Sequence, residues 1–85
     1  MKIIIDIPEY NKEVGYKFNW VNGFEIRCKI ENDTVILSGN KEGLESLANH
    51  FLNLAQEMVP TGYHIHLDNY NSLEEDSNEL IIEKL

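Results

Sequence analysis

The fold is decided by residues 24–58, which read FEIRCKIENDTVILSGNKEGLESLANHFLNLAQEM. Apolar and polar residues alternate in residues 24–31, which is the period-two pattern of a half-buried strand, and residues 34–38 return as a second strand. Asn32-Asp33 separates the two runs and reads as a tight turn. We therefore predict a β-hairpin. Its core-facing side chains are expected to be Phe24, Ile26, Cys28, Ile30, Val35 and Leu37.

The same stretch continues into one amphipathic helix. Asn40 can cap its first turn by accepting a hydrogen bond from a free backbone amide, and Pro60 and Gly62 mark its end. Between them apolar residues recur at spacings of three and four, which predicts a helix over about residues 41–58. The apolar stripe of this helix comprises Leu44, Leu47, Ala48, Phe51, Ala55 and Met58.

Two further alternating runs precede the hairpin. Residues 3–7 alternate until Pro8, which ends a strand because proline has no amide to donate. Residues 16–21 alternate before Asn22-Gly23, and Asn-Gly between two alternating runs is the strongest short-range signal for a hairpin. We therefore predict two strands in the N-terminal part of the chain.

Residues 63–68 alternate after the helix and residues 79–84 read as a closing strand, so the predicted element order is ββββαββ. A single amphipathic helix can cover only one face of a sheet. We therefore predict one α+β domain over residues 1–85, built as a two-layer sandwich. A mainly antiparallel sheet carries one helix on one face, and its other face is open to water or to a partner.

The charge balance restricts the classes of partner. The 85 residues include 15 acids and 7 bases, for a net charge of −8, and residues 38–85 contain nine of the acids and two of the bases. Such a surface repels nucleic-acid phosphates and anionic membranes. It attracts a basic protein, although an acidic surface also serves solubility alone.

Cysteine usage and hydropathy indicate a cytoplasmic location. Cys28 is the single cysteine, so no internal disulfide can form. Asp6 and Pro8 interrupt the N-terminal apolar run, which is too short for a signal peptide. No stretch approaches the roughly 20 apolar residues of a membrane span.

His64, His66 and Asp68 alternate with core-facing residues of a predicted strand, so all three are expected on its open face. Two imidazoles and a carboxylate can hold zinc or iron. A structural zinc site requires four ligands, and neighbours on one strand face lie about 7 Å apart, which strains a shared site. The alternative is a solvent-facing row whose histidines pair with acids across the sheet.

Tyr16, Phe18 and Trp20 form an aromatic run with two interpretations. A two-residue turn at Asn22-Gly23 would place the run on the open face, where exposed aromatics resemble an interface hot spot. A longer loop or a bulge would reverse the parity and place the run in the core.

The segment Glu74-Glu75-Asp76 reads as an acidic loop, which is either a contact for a basic surface or a solvated turn. Catalysis has little support, and we predict that the protein is not an enzyme and uses no cofactor. Cys28 is expected inside the core, and His50 lies beside the apolar stripe of the helix in a structural position. No nucleophilic triad can be assembled from the sequence.

Short segments of the chain carry a family resemblance: SGNKEGL at 38–44, LANHFL at 47–52, LA at 54–55, VPTG at 59–62, HIHLD at 64–68 and ELIIE at 79–83. They resemble immunity protein 32 of bacterial polymorphic toxin systems over about residues 34–85. The resemblance implies a cytoplasmic antidote that binds and blocks a toxin, and it supplies no catalytic residues.

The leading hypothesis is therefore a stoichiometric inhibitor of a toxin protein that is expected to be basic. The expected contact residues are Glu74, Glu75, Asp76, His64, His66, Asp68 and Trp20. One alternative is a small metal-binding protein or hydrolase that uses His64, His66 and Asp68. Another is a module that self-associates through its open sheet face.

Overall fold

The computed structural model describes residues 1–85 and contains four strands and one helix. Strands β1 (Ile26–Glu31) and β2 (Thr34–Gly39) pair antiparallel, as do β3 (His64–Leu67) and β4 (Leu80–Glu83). Helix α1 (Lys41–Leu54) lies between the two hairpins in the chain. The predicted α+β class, the antiparallel pairing and the single helix are confirmed. The strands form two two-stranded sheets.

The β1–β2 hairpin is closed by Asn32 and Asp33, whose φ angles of 49° and 63° are those of a two-residue turn. Ladder pairing runs from Glu31 opposite Thr34 to Ile26 opposite Gly39. Sequence pattern and turn chemistry therefore predicted this hairpin correctly.

Only one end of the hairpin enters the core. Ile26 and Cys28 are buried as predicted, whereas Ile30, Val35 and Leu37 are exposed. The reason is the position of α1, which begins beside the open end of the hairpin, so that its first turns cover that end and the tip projects beyond the helix. The prediction that all these side chains face the core was therefore wrong for Ile30, Val35 and Leu37.

Asn40 fixes the start of α1 as expected. Its side-chain oxygen accepts from the amide of Gly43 at 2.7 Å and from the amide of Glu25 at 3.0 Å. A Cβ at Gly43 would lie 2.2 Å from the carbonyl oxygen of Glu25. The helix therefore packs directly against backbone, at a distance that only glycine permits.

The helix ends at Leu54, four residues before the predicted end. Beyond it, the chain turns so that Val59 becomes buried. The Lys84 ammonium donates to the carbonyl oxygens of Gln56 and Val59, which lie beyond the last residue of α1. Long-range contacts thus override the helical periodicity of this segment.

The buried face of α1 also differs from the predicted stripe. Leu44, Phe51 and Met58 are exposed. Leu47 and Leu54 are buried, together with four polar side chains at positions i, i+3, i+4 and i+7: Ser46, Asn49, His50 and Asn53. We call these four residues the polar row.

The polar row explains why residues 3–7 and 16–21 form no strand, in contrast to the prediction. The Ser46 hydroxyl accepts from the amide of Val21 at 2.9 Å. The Asn49 amide donates to the carbonyl oxygen of Asp6 at 3.1 Å, and that of Asn53 to Lys17 at 2.9 Å. Helix side chains therefore satisfy backbone groups that a ladder would otherwise use.

Asn22-Gly23 forms a turn, closed by the amide of Phe24 donating to the carbonyl oxygen of Val21 at 3.1 Å. Gly23 has a φ of 86°, which favours glycine. No ladder flanks this turn, because the preceding segment is bound to α1. The predicted first hairpin is therefore absent.

The β3–β4 hairpin buries Ile65 and Leu67, as the alternation predicts. The loop that joins its strands runs beside β1, where Glu74 and Asn78 donate their amides to carbonyl oxygens of β1 at 2.9 and 2.7 Å. The loop thereby links the two hairpins. The buried apolar core comprises Ile26, Cys28, Leu47, Leu54, Val59, Ile65, Leu67 and Leu73.

Candidate interaction surface

The acidic loop at Glu74, Glu75 and Asp76 is an ordered part of the structure. Asp76 accepts from the Arg27 guanidinium at 3.0 Å and lies 3.6 Å from the Lys29 ammonium. The hydrogen bond from Arg27 is the main reason that the pKa of Asp76 is lowered. Glu75 is exposed and Glu74 is half-buried, and neither forms a salt bridge. The free negative charge of this loop is therefore carried by its two glutamates.

His64 and His66 lie on the outer face of β3, as predicted. Their rings are 5.0 Å apart between centroids. Glu83 stands opposite His64 in the ladder, and the Glu79 carboxylate is 3.5 Å from Nδ1 of His66. Both histidines are exposed, so this face offers imidazoles and carboxylates together.

Asp68 does not join the two histidines. Its carboxylate accepts from the amides of Tyr70 and Asn71 at 2.9 and 3.2 Å, which closes the turn after β3. No three His, Cys, Asp or Glu residues stand close enough together to hold a metal ion. The spacing in the sequence therefore has a structural explanation: His64 and His66 lie on one face of β3, and Asp68 closes the turn that follows the strand.

Trp20 lies between the two predicted placements, since it is neither fully inside the core nor fully on an open face. Its ring stacks on Phe24 with a centroid distance of 4.5 Å and meets His50 at 4.4 Å. It is half-buried against the core, while Phe18 beside it is exposed. Trp20, Phe18 and His66 share the lining of a small cavity of about 170 Å³. The structure thus brings Trp20 and His66 together.

His50 is fully buried, and its ring lies among those of Tyr16, Phe18 and Trp20. Its Nδ1 is 3.0 Å from the hydroxyl of Tyr16, and its Nε2 has no hydrogen-bond partner. Burial lowers the pKa of His50 to about 4 and is the main cause that raises the pKa of Tyr16 to about 12. His50 is therefore a neutral structural residue at pH 7, as its position beside the helix stripe predicted.

Comparison with protein families adds an independent observation. The family described as immunity protein 32 matches residues 34–85, which comprise β2, α1, β3 and β4. The chain belongs to the immunity protein 32 family. The resemblance that the sequence segments suggested is thereby confirmed over the same residues. No curated protein and no solved structure matches the chain.

The chain exposes a large surface for its size. Its accessible area is 6265 Å², whereas a folded monomer of 9.9 kDa exposes about 5,200 Å². The excess is about 1,000 Å². No helix in the structure has the length and apolar character that crossing a bilayer requires.

Four of the seventeen exposed large apolar side chains lie together on the β1–β2 hairpin. The exposed fractions are 58% for Ile30, 62% for Val35, 41% for Ile36 and 37% for Leu37. Leu44 is also exposed, and its side chain lies beside Gly39 at the end of β2. Sequence reasoning missed this surface because it assigned most of these residues to the core. A signal was available, since apolar residues occur consecutively in β2 instead of alternating.

Proposed function

We propose that this protein neutralises a cognate bacterial toxin by binding it in a stoichiometric complex in the cytoplasm. The observation that carries the proposal is the family match over residues 34–85. Three properties of the molecule support a binding mechanism. They are the exposed apolar hairpin, the negative surface charge and the exposed imidazoles and carboxylates on the outer face of β3.

The charge distribution supports a basic toxin surface. Among the 15 acids, only Glu45, Asp76 and Glu79 lie within salt-bridge distance of a base. Most carboxylates are therefore available to attract an approaching cation. Electrostatic attraction of this kind accelerates encounter and weakens with added salt.

The predicted contact residues contribute unequally to this proposal. Glu75, His64 and His66 are exposed and are suited to direct contact. Glu74 is half-buried, and Asp76 is held by two bases of its own chain. Both are proposed to shape the loop and its field more than to bind directly.

Asp68 and Trp20 have supporting roles in this proposal. Asp68 holds the turn after β3, so it is proposed to position its exposed neighbours. Trp20 stands beside Phe18 and His66 at the small cavity. A toxin side chain that enters this cavity would contact the indole ring, which makes Trp20 a proposed anchor.

The family resemblance implies that a toxin gene lies beside the gene of this protein, and expression of that neighbouring gene in a bacterial host tests the proposal. Cells that also produce this protein should grow, and the two proteins should co-purify in equal amounts. The matched control is the Ile26→Asp variant, which places a charge in the fully buried core and should abolish both results. Growth arrest despite a soluble, folded wild-type protein would contradict the proposed function.

A further inference from the structure

β2 has one free edge, and hairpin geometry identifies the main-chain groups on it. In a hairpin with a two-residue turn, the residues that flank the turn exchange both hydrogen bonds, and the direction then alternates along each strand. Glu31 and Thr34 flank the turn here. The N–H and C=O of Ile36 therefore point toward β1, whereas those of Val35 and Leu37 point away from it.

The outer edge of β1 verifies this alternation. The carbonyl oxygen of Cys28 accepts from the amide of Asn78 at 2.7 Å, and the amide of Cys28 donates to the Ser77 hydroxyl at 3.2 Å. The amide of Ile30 donates to the side chain of Asn78 at 3.3 Å. The outward groups of β1 are thus satisfied by the loop after β3.

The corresponding groups of β2 have no such partner. No backbone hydrogen bond outside the ladder involves Val35 or Leu37, and no side chain reaches them. The strand reads TVILSG and contains neither lysine nor proline, the residues that commonly protect an edge against pairing with another chain. Its apolar side chains are exposed on both faces. β2 is therefore an unprotected template for an additional strand.

Charges at both ends of the hairpin indicate which strand fits. Glu31 and Asp33 lie at its tip, and Glu25 and Glu42 lie near its other end, where the base Lys41 is paired with Glu45 at 3.1 Å. A second copy of this chain would bring acidic ends together in either strand orientation, between molecules of net charge −8 each. A strand with an apolar centre and basic flanks meets complementary groups along its whole length.

We propose that an extended segment of the toxin adds to the free edge of β2 as a third strand, apolar at its centre and basic at its flanks. This inference rests on the proposed function and specifies how the complex forms. The backbone groups of Val35 and Leu37 bind the added strand, and the apolar side chains of β2 are covered by it. The added strand would also reach Leu44 at the end of β2.

Hydrogen–deuterium exchange tests the proposal on the wild-type protein, with the product of the neighbouring toxin gene as the probe. The amides of Val35 and Leu37 should exchange rapidly in the free protein and at least about tenfold more slowly in the complex. A complex in which both amides remain rapid would overturn edge pairing and leave toxin binding intact. Failure of the wild-type protein to bind the probe would instead contradict the proposed function.

A proline variant provides a second, independent test. Val35→Pro removes one outward amide and preserves the ladder to β1, since proline is tolerated where the N–H faces away from the sheet. Val35→Thr keeps the amide and the branched shape, so it is the matched control. Circular dichroism should show both variants folded. The Kd for the toxin should rise about tenfold or more in Val35→Pro alone, whereas equal affinities would overturn the proposal.

Sedimentation of the free protein tests whether a second copy of the chain occupies the edge of β2 instead. A monomer is expected across the concentrations used for exchange. If the protein is instead a dimer in which the amides of Val35 and Leu37 are already protected, the edge is occupied by a second copy and the proposal is wrong.

Discussion

Acidification is expected to destabilise the folded protein through one buried side chain, His50. The neutral imidazole is accommodated by the hydroxyl of Tyr16, whereas a protonated ring would place a second N–H where no acceptor exists. Its folded-state pKa of about 4 lies below the ordinary value of 6.5. Between these values the unfolded chain binds more protons than the folded chain, so stability falls as the pH is lowered.

The magnitude follows from the two pKa values. One pKa unit corresponds to 1.36 kcal/mol, so complete protonation costs about 3 kcal/mol, and a shift from pH 7.5 to pH 5.0 costs about 2 kcal/mol. The stabilisation is fully present above about pH 6.5 and is lost as the pH falls toward 4. Tyr16, with its pKa raised to about 12, remains neutral throughout this window.

Urea denaturation followed by circular dichroism at pH 7.5 and pH 5.0 measures this effect. The His50→Phe variant lacks the titrating group, and the comparison is made within each protein, so any stability lost at neutral pH is subtracted. The other titrating groups are shared and cancel. The wild type should lose about 2 kcal/mol more than the variant. Parallel losses in the two proteins would refute the assignment of His50 as a buried neutral residue.

Three further changes give distinct expectations. Gly43→Ala should lower the free energy of unfolding by about 1–3 kcal/mol, because a Cβ meets the Glu25 carbonyl at 2.2 Å; a rise in Tm, as helix propensity alone predicts, would contradict this close approach. Asn53→Ala should lower the free energy of unfolding by about 1–3 kcal/mol, because the carbonyl oxygen of Lys17 loses its donor. An unchanged urea midpoint would contradict a stabilising role for this hydrogen bond of the polar row. Glu75→Lys should slow toxin association and reduce its salt dependence, measured by stopped flow. If the charge-matched control Glu9→Lys has the same effect, the acidic loop is not the site of electrostatic attraction.

Local signals in the sequence predicted the elements that depend on neighbouring residues. Asn32-Asp33 specified a two-residue turn, Asn40 specified the helix start, and the alternation around Ile65 specified β3. These features require only turn geometry, capping and side-chain periodicity. These elements therefore do not depend on contacts with residues distant in the sequence.

The features that the sequence did not reveal depend on contacts between distant residues. Ser46, Asn49, His50 and Asn53 have helical spacing, but their polarity concealed that they form a buried face. Only their hydrogen bonds to the N-terminal segment explain their burial. The same bonds remove the two N-terminal strands that alternation predicted.

The candidate surface was predicted in part for a related reason. Strand parity placed His64 and His66 correctly on an outer face, because it depends on local geometry alone. Parity cannot indicate how far α1 extends over the hairpin, so Val35 and Leu37 were assigned to the core. Their exposure follows from where the helix begins, which is a tertiary feature.

Titration of toxin activity with the purified protein tests the central claim most directly. The account predicts that activity falls linearly and reaches its minimum at about one equivalent, the behaviour of a tight one-to-one complex. Toxin activity that persists at about tenfold excess of folded protein would contradict it.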